Sequence, residues 1–159
     1  DALISDLPGR ALLLRFADCV PLLLYDARHG TVGLAHAGWR GTVRNIAGAT
    51  VEAMMQAFGT DPAEIVAGLG PAIGPCCYQV GAEVIEAACE TFPGVEGLLQ
   101  KQPNATWHFD LIRANAVQLA QKGVARCEIA PFCTSCRVDE FFSHRAERGR
   151  TGRFAVLLG

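Results

Sequence analysis

A cysteine and a histidine carry the first chemical signal in this chain. Cys19 ends the tripeptide ADC (17–19), in the break between two apolar runs, and His36 opens HAGWRG (36–41) at the end of the next run. If residues 20–25 and 31–35 pair as a hairpin about the turn at 26–30, Cys19 and His36 lie at the same end of the sheet. A thiol and an imidazole at one place have two chemistries. They form a nucleophile with its base, as in acyl-transferring cysteine enzymes, or they ligate Zn²⁺. A catalytic zinc takes three protein ligands and keeps a position for a water whose pKa falls to about 7. The plain alternative is a small buried hydrophobe beside a satisfied loop histidine. A third ligand would come from His29, His108, His144 or a segment ahead of Asp1. His29 falls in the turn at the hairpin's far end and is the worst placed.

Other segments bear on what such a centre would act upon. HAGWRG runs straight into a helix start, and a helix N-terminus with Arg40 beside it suits an anion. The competing reading makes Trp39 a core plug in a strand-to-helix turn. FFSHR (141–145) and TGR (151–153) bring His144, Arg145 and Arg153 close in sequence, either as a solvated loop or as a phosphate grip. GLGPAIGPCC (68–77) is rich in glycine but has neither G-x-G-x-x-G spacing nor G-K-[ST], so it predicts a rigid pocket wall and not a phosphate cradle. CTSC (133–136) is a lone C-x-x-C, and Cys76 and Cys77 are adjacent where a second spaced pair would be needed for structural zinc. The expectation for these four is ordinary buried thiols.

The elements that must hold these residues follow from pattern. Residues 11–16, 20–25 and 31–35 are dense in Leu and Val and predict three strands, the last two as a hairpin. Thr42 reads as the N-cap of a helix over 43–58, stopped by Gly59. Asp61-Pro62 opens a short helical turn before a strand at 65–69. Helices are expected at 82–91 and, capped by Asp110, at 111–122. Strands are expected at 126–130 and 154–158, with the stretch 95–106 the least patterned. Strands interspersed with helices predict an α/β or α+β layered domain on a mixed sheet.

Composition sets the frame. The 159 residues fit a single domain, 1–159, with enough core to fold without staples. A formal net charge of -2 gives no overall positive field for nucleic acid, and no apolar run approaches bilayer length, so neither nucleic acid nor membrane is expected as a partner. Seven cysteines without framework spacing read as reduced thiols in the cytoplasm. The chain starts at Asp1 on the approach to a strand, which predicts an N-terminal segment ahead of it.

Taken together, ADCVPLLLYD (17–26), HAGWRGT (36–42), GLGPAIGPCCYQVG (68–81), DLIRANAVQL (110–119) and CT…FFSHR…TGRFA (133–155) resemble the laccase-domain, YfiH-type family of polyphenol oxidase-like proteins. The pieces run through nearly the whole chain in the family's order. The resemblance implies an α/β/β/α sandwich with mixed sheets, and a metal site built from Cys19 and His36. The family's third ligand, a histidine in an upstream Q-x-H-G, has no counterpart here. The implied activity is metal-dependent phosphorolysis of purine nucleosides, adenosine or inosine plus phosphate giving base and ribose 1-phosphate. Adenosine deamination and methylthioadenosine phosphorolysis are implied as side activities. Zinc is the expected ion, with copper the alternative; the partners are nucleoside and phosphate, on a monomer. Arg40, Arg145 and Arg153 are the candidates for the anion. Copper-dependent polyphenol oxidation is also attributed to the family, but four histidines cannot build a trinuclear cluster beside a blue-copper site, leaving at most one copper in this chain. A cysteine hydrolase using Cys19 and His36, and a non-catalytic binding domain, remain the other readings.

Overall fold

A computed structural model describes residues 1–94 and 97–159. Its centre is a five-stranded mixed sheet in the order β1-β4-β3-β5-β9, where β1 is Ala2–Ser5, β3 Val20–Asp26, β4 Thr31–Ala37, β5 Ile65–Leu69 and β9 Arg126–Ile129. All its pairings are antiparallel except β5 with β9. The β3–β4 hairpin forms as its apolar runs predict, with Pro21 opposite His36 and Asp26 opposite Thr31.

Alternation along these strands sorts two faces. Val20, Leu22, Leu24, Ala35, Ala37 and Ala67 face the helices α2 (Ile46–Phe58) and α4 (Leu111–Gln121), with Val51, Met54 and Leu119 in the same buried cluster. Gly33 belongs to this face: a Cβ there would stand 2.9 Å from Met54 Sδ, so the helix rests directly on the strand backbone. On the other face Val32 and Leu34 pack with Leu12, Leu14, Val156 and Leu158 from a second, antiparallel sheet of β2 (Leu12–Phe16) and β10 (Phe154–Leu158). The layer order is helices, five-stranded sheet, two-stranded sheet, which carries three layers of the expected α/β/β/α stack. A third small sheet orders β6 (Gln79–Val80), β8 (Trp107–Phe109) and β7 (Leu99–Lys101), next to α3 (Ala82–Thr91). Part of the unpatterned stretch 95–106 therefore pairs; residues 95 and 96 lie outside the described residues.

The first helix differs from expectation. Thr42 does not cap it. Residues Trp39–Val43 form a short α1, and α2 starts anew at Ile46 behind Asn45, whose left-handed φ of 58° breaks the run and whose side chain accepts from the Gly48 N–H at 3.1 Å. Asn tolerates that conformation where Thr does not. Thr42 is instead buried against α4: its hydroxyl accepts from Asn115 Nδ2 at 2.9 Å, and its carbonyl from Gln118 Nε2 at 2.7 Å. Those two bonds tie α1, and with it Trp39 and Arg40, to the helix layer.

Candidate functional site

The parity that puts Val32 and Leu34 between the two sheets puts His36 there too, and Cys19 lies in the bend just before β3, at the same end of the hairpin. His36 is half-buried, its ring edge-on to Phe16 with centroids 5.1 Å apart. Its Nδ1 lies 4.0 Å from the exposed Asp1 carboxylate. A Cβ on Gly38 would stand 3.0 Å from Cys19 Sγ, so the glycine of HAGWRG is what lets the sulfur reach across to this strand.

Cys19 and His36 open into a cavity of about 440 Å³, within the range of small-molecule sites. Arg40, Arg145 and Arg153 reach the same cavity, so the five residues picked from sequence share one wall-to-wall space. Tyr78 and His144 also line it; the sequence offers His144 as a third-ligand candidate and gives Tyr78 no role. Tyr78 follows the Cys76-Cys77 pair in a tight turn, its N–H donating to the Gly74 carbonyl at 3.0 Å. His144 sits beside Arg145 in FFSHR, on the same cavity wall.

The three guanidiniums are held differently. Arg145 donates through Nη1 to the Gln79 carbonyl at 2.8 Å and lies over the Tyr78 ring, 5.2 Å from its centroid. Arg153 donates to the carbonyl of Gly152 at 2.7 Å. Arg40 stacks on Trp39 at 4.4 Å and stands 3.7 Å from Glu83 in an exposed pair that solvent screens. Trp39 is half-buried on the cavity wall, so it is both a packing residue and an exposed aromatic face. With α1 only five residues long, the helix N-terminus expected beside Arg40 is too short to serve as an anion site.

Asp18 organises this end of the molecule. It is buried and takes a positive φ of 80°, rare for a residue with a side chain. Its Oδ1 accepts from Thr134 Oγ1 at 2.7 Å, its Oδ2 from the Arg145 N–H at 2.6 Å, and its carbonyl from the Ile73 N–H at 2.8 Å. Three loops distant in sequence thus converge on the residue that presents Cys19. Burial first, then the Asp18 carboxylate, push the Cys19 thiol up to about 11 despite Arg153. Burial lowers the His36 imidazole. Both shifts disfavour a resting thiolate–imidazolium ion pair at this end of the cavity. As donors to a borderline-soft cation the two fit well, because the ion's own charge displaces the thiol proton.

The cysteine expectation needs correction. Cys133 and Cys136 are not buried thiols: Cys136 and Cys76 are exposed, Cys77 and Cys133 half-buried, and the four sulfurs all lie within 4.8 Å of one another. Adjacency of Cys76 and Cys77 was no obstacle, because a tight turn sends both sulfurs to one side.

With this geometry in place, the sequence profile of the family described as multi-copper polyphenol oxidoreductase laccase matches residues 1–159. The chain belongs to this laccase-domain family. It is 42% identical to purine nucleoside phosphorylase YlmD of Geobacillus stearothermophilus, covering 100% of this chain and 59% of that protein. It is 38% identical to adenosine deaminase RL5 of an unknown prokaryotic organism, over 96% of this chain and 59% of the other. The crystal structure of the Geobacillus YlmD superposes with a TM-score of 0.95 at 41% identity, over 100% of this chain and 60% of that one. The chain therefore spans about three fifths of the length of these relatives. Among the described residues, no helix of this laccase-domain chain is long and apolar enough to cross a membrane.

Proposed function

We propose that this chain supplies the reaction cavity of a metal-dependent purine nucleoside phosphorylase working in a reducing, cytoplasmic compartment. The observation that carries the reading is the meeting of one soft–borderline donor pair, Cys19 and His36, with three guanidiniums in a single cavity of nucleoside size. Relatives named purine nucleoside phosphorylase support it.

Cys19 and His36 are the chain's ligands for zinc, with a single copper as the alternative. Bound there, the ion would act as a Lewis acid on an oxygen of substrate or water. The remaining work falls to the chain's own side chains. Arg145, fixed by the Gln79 carbonyl, and Arg153 hold phosphate as charge-assisted donors, with Arg40 at the rim. Trp39 and Tyr78 offer aromatic faces to the purine. In phosphorolysis a phosphate oxygen forms a bond to ribose C1′ while the C1′–N9 bond breaks and its electron pair leaves with the purine, which takes up a proton. Fixed guanidiniums orient the attacking oxygen and screen its charge from the departing base.

Base release from inosine, followed with and without phosphate, tests this. Hypoxanthine should form only with phosphate present; equal rates in both conditions exclude phosphorolysis. The similarity to a named adenosine deaminase favours one second reading, hydrolytic loss of ammonia from adenosine in the same cavity. Ammonia release that is independent of phosphate marks that activity.

A further inference from the structure

We propose that Cys76, Cys77, Cys133 and Cys136 form a second metal site, a closed structural zinc centre separate from the Cys19–His36 pair. Four mutually close sulfurs are the decisive geometry. Cys76 Sγ is 3.7 Å and Cys77 Sγ 3.4 Å from Cys136 Sγ, and all four lie within 4.8 Å. A tetrahedral ion with Zn–S bonds of about 2.3 Å needs sulfurs about 3.8 Å apart. Disulfides would join two pairs at about 2.05 Å and give no reason for all four to gather around one point. Packing gives none either, since two of the four are exposed.

The backbone is already shaped for a tetrathiolate. Cys133 Sγ accepts from the Gly74 N–H at 3.2 Å, the kind of donor that stabilises a ligating sulfur. Cys136 N–H closes a turn onto the Cys133 carbonyl at 3.1 Å, and Cys77 N–H closes another onto Gly74 at 3.0 Å, each turning its sulfurs inward. The two segments are paired beside the cluster through Ala72 and Cys133, and Thr134 N–H donates to the Ala72 carbonyl at 3.0 Å. From the other side, His108 Nδ1 lies 2.6 Å from the Pro75 carbonyl. With four thiolates the ion has no position left for water, so the centre is structural.

Its purpose follows from what its loops hold. Thr134, between the two cysteines of CTSC, donates to Asp18, and Tyr78 directly follows Cys77. The Cys77 carbonyl is 3.5 Å from Arg145 Nη1. Locking residues 74–77 to 133–136 therefore fixes Asp18, Tyr78 and Arg145 in the cavity from behind.

The test measures zinc per chain in the protein bearing Cys19→Ser, where the first site is disabled. One equivalent of zinc resistant to mild chelation is expected there, and its loss when Cys133→Ser and Cys136→Ser are added. Replacement of the zinc by Co²⁺ in Cys19→Ser protein should give the intense sulfur-to-cobalt charge-transfer and split d–d bands of a tetrahedral tetrathiolate. This spectrum needs no cluster substitution, so it decides even if the cluster variants misfold. No stoichiometric metal in Cys19→Ser, or a cobalt spectrum without thiolate bands, overturns the site. Neither outcome bears on phosphorolysis, which is tested through base release.

Discussion

The β3–β4 hairpin has an aspartate and a histidine near each of its ends, and the two ends are built in opposite ways. At the turn, Asp26 is buried and satisfied locally: its Oδ1 accepts from the N–H groups of Arg28 and His29 at 2.9 and 3.3 Å, and its Oδ2 is 2.7 Å from His29 Nδ1. These turn partners lie within three residues, and Thr60 adds one hydrogen bond from outside the hairpin. At the open end Asp18 ignores His36 and binds partners 116 and 127 residues away in sequence, leaving the imidazole facing the cavity. A histidine whose ring is consumed by its own turn is structural. One whose neighbouring carboxylate is occupied elsewhere is free to bind something from outside.

Breaking the open end should have the largest effect. Cys19→Ala or His36→Ala is expected to lower kcat/KM for phosphorolysis by about 10³-fold or more, since loss of an electrophilic ion removes several kcal/mol of transition-state stabilisation. Retention of wild-type turnover by either variant, measured by base release, refutes their role. Next comes Asp18→Asn, which keeps a side chain tolerant of positive φ but removes the carboxylate that gathers Thr134 and Arg145. Activity and zinc affinity at the Cys19–His36 site should drop on the order of 10–100-fold, as for other groups that orient ligands. An unchanged metal affinity in a competition titration would reduce Asp18 to a turn former.

Arg145→Ala should act mainly on phosphate. Losing one charge-assisted contact predicts roughly a 10-fold or greater rise in KM for phosphate with a smaller change in KM for nucleoside. The same change for both substrates would argue against an anion role. The smallest effect on activity belongs to the closed end. Asp26→Asn should leave kcat/KM within about 2-fold while lowering Tm by on the order of 5 °C. Burial disfavours the charged Asp26, but the hydrogen bonds from His29, Thr60 and the turn amides outweigh it and hold the carboxyl below its ordinary range. Its contribution to stability is therefore present above the ordinary carboxylate pKa of about 4 and is lost as pH falls through the lower folded value. The Tm gap between wild type and Asp26→Asn should be widest near neutrality and close in acid. A gap that widens in acid contradicts this.

How much of this was legible in sequence depends on the range of the forces involved. The hairpin, the helices at 82–91 and 111–122, and the strand at 65–69 are written in local periodicity, and the caps Asp61 and Asp110 use their nearest amides. The placing of Cys19 and His36 at one sheet end follows from reading residues 20–25 and 31–35 as a hairpin. The break at Asn45 was hidden because a left-handed residue leaves the apolar period on either side intact. The strands β6 to β8 are only two or three residues long, too short for a pattern. Tyr78, the Asp18 clamp and the four-sulfur cluster depend on loops meeting across most of the chain, and spacing along a sequence carries no record of such meetings.

Asp18 also dictates an order of assembly. The hairpin is made of neighbours, whereas its aspartate waits for Thr134 and Arg145, 116 and 127 residues further along the chain. Contacts of such separation form late, after the entropy of a long loop has been overcome. The contacts that aim Cys19 and His36 are thus expected to form after the hairpin itself, and the cavity wall is complete only when Thr134 and Arg145 have reached Asp18.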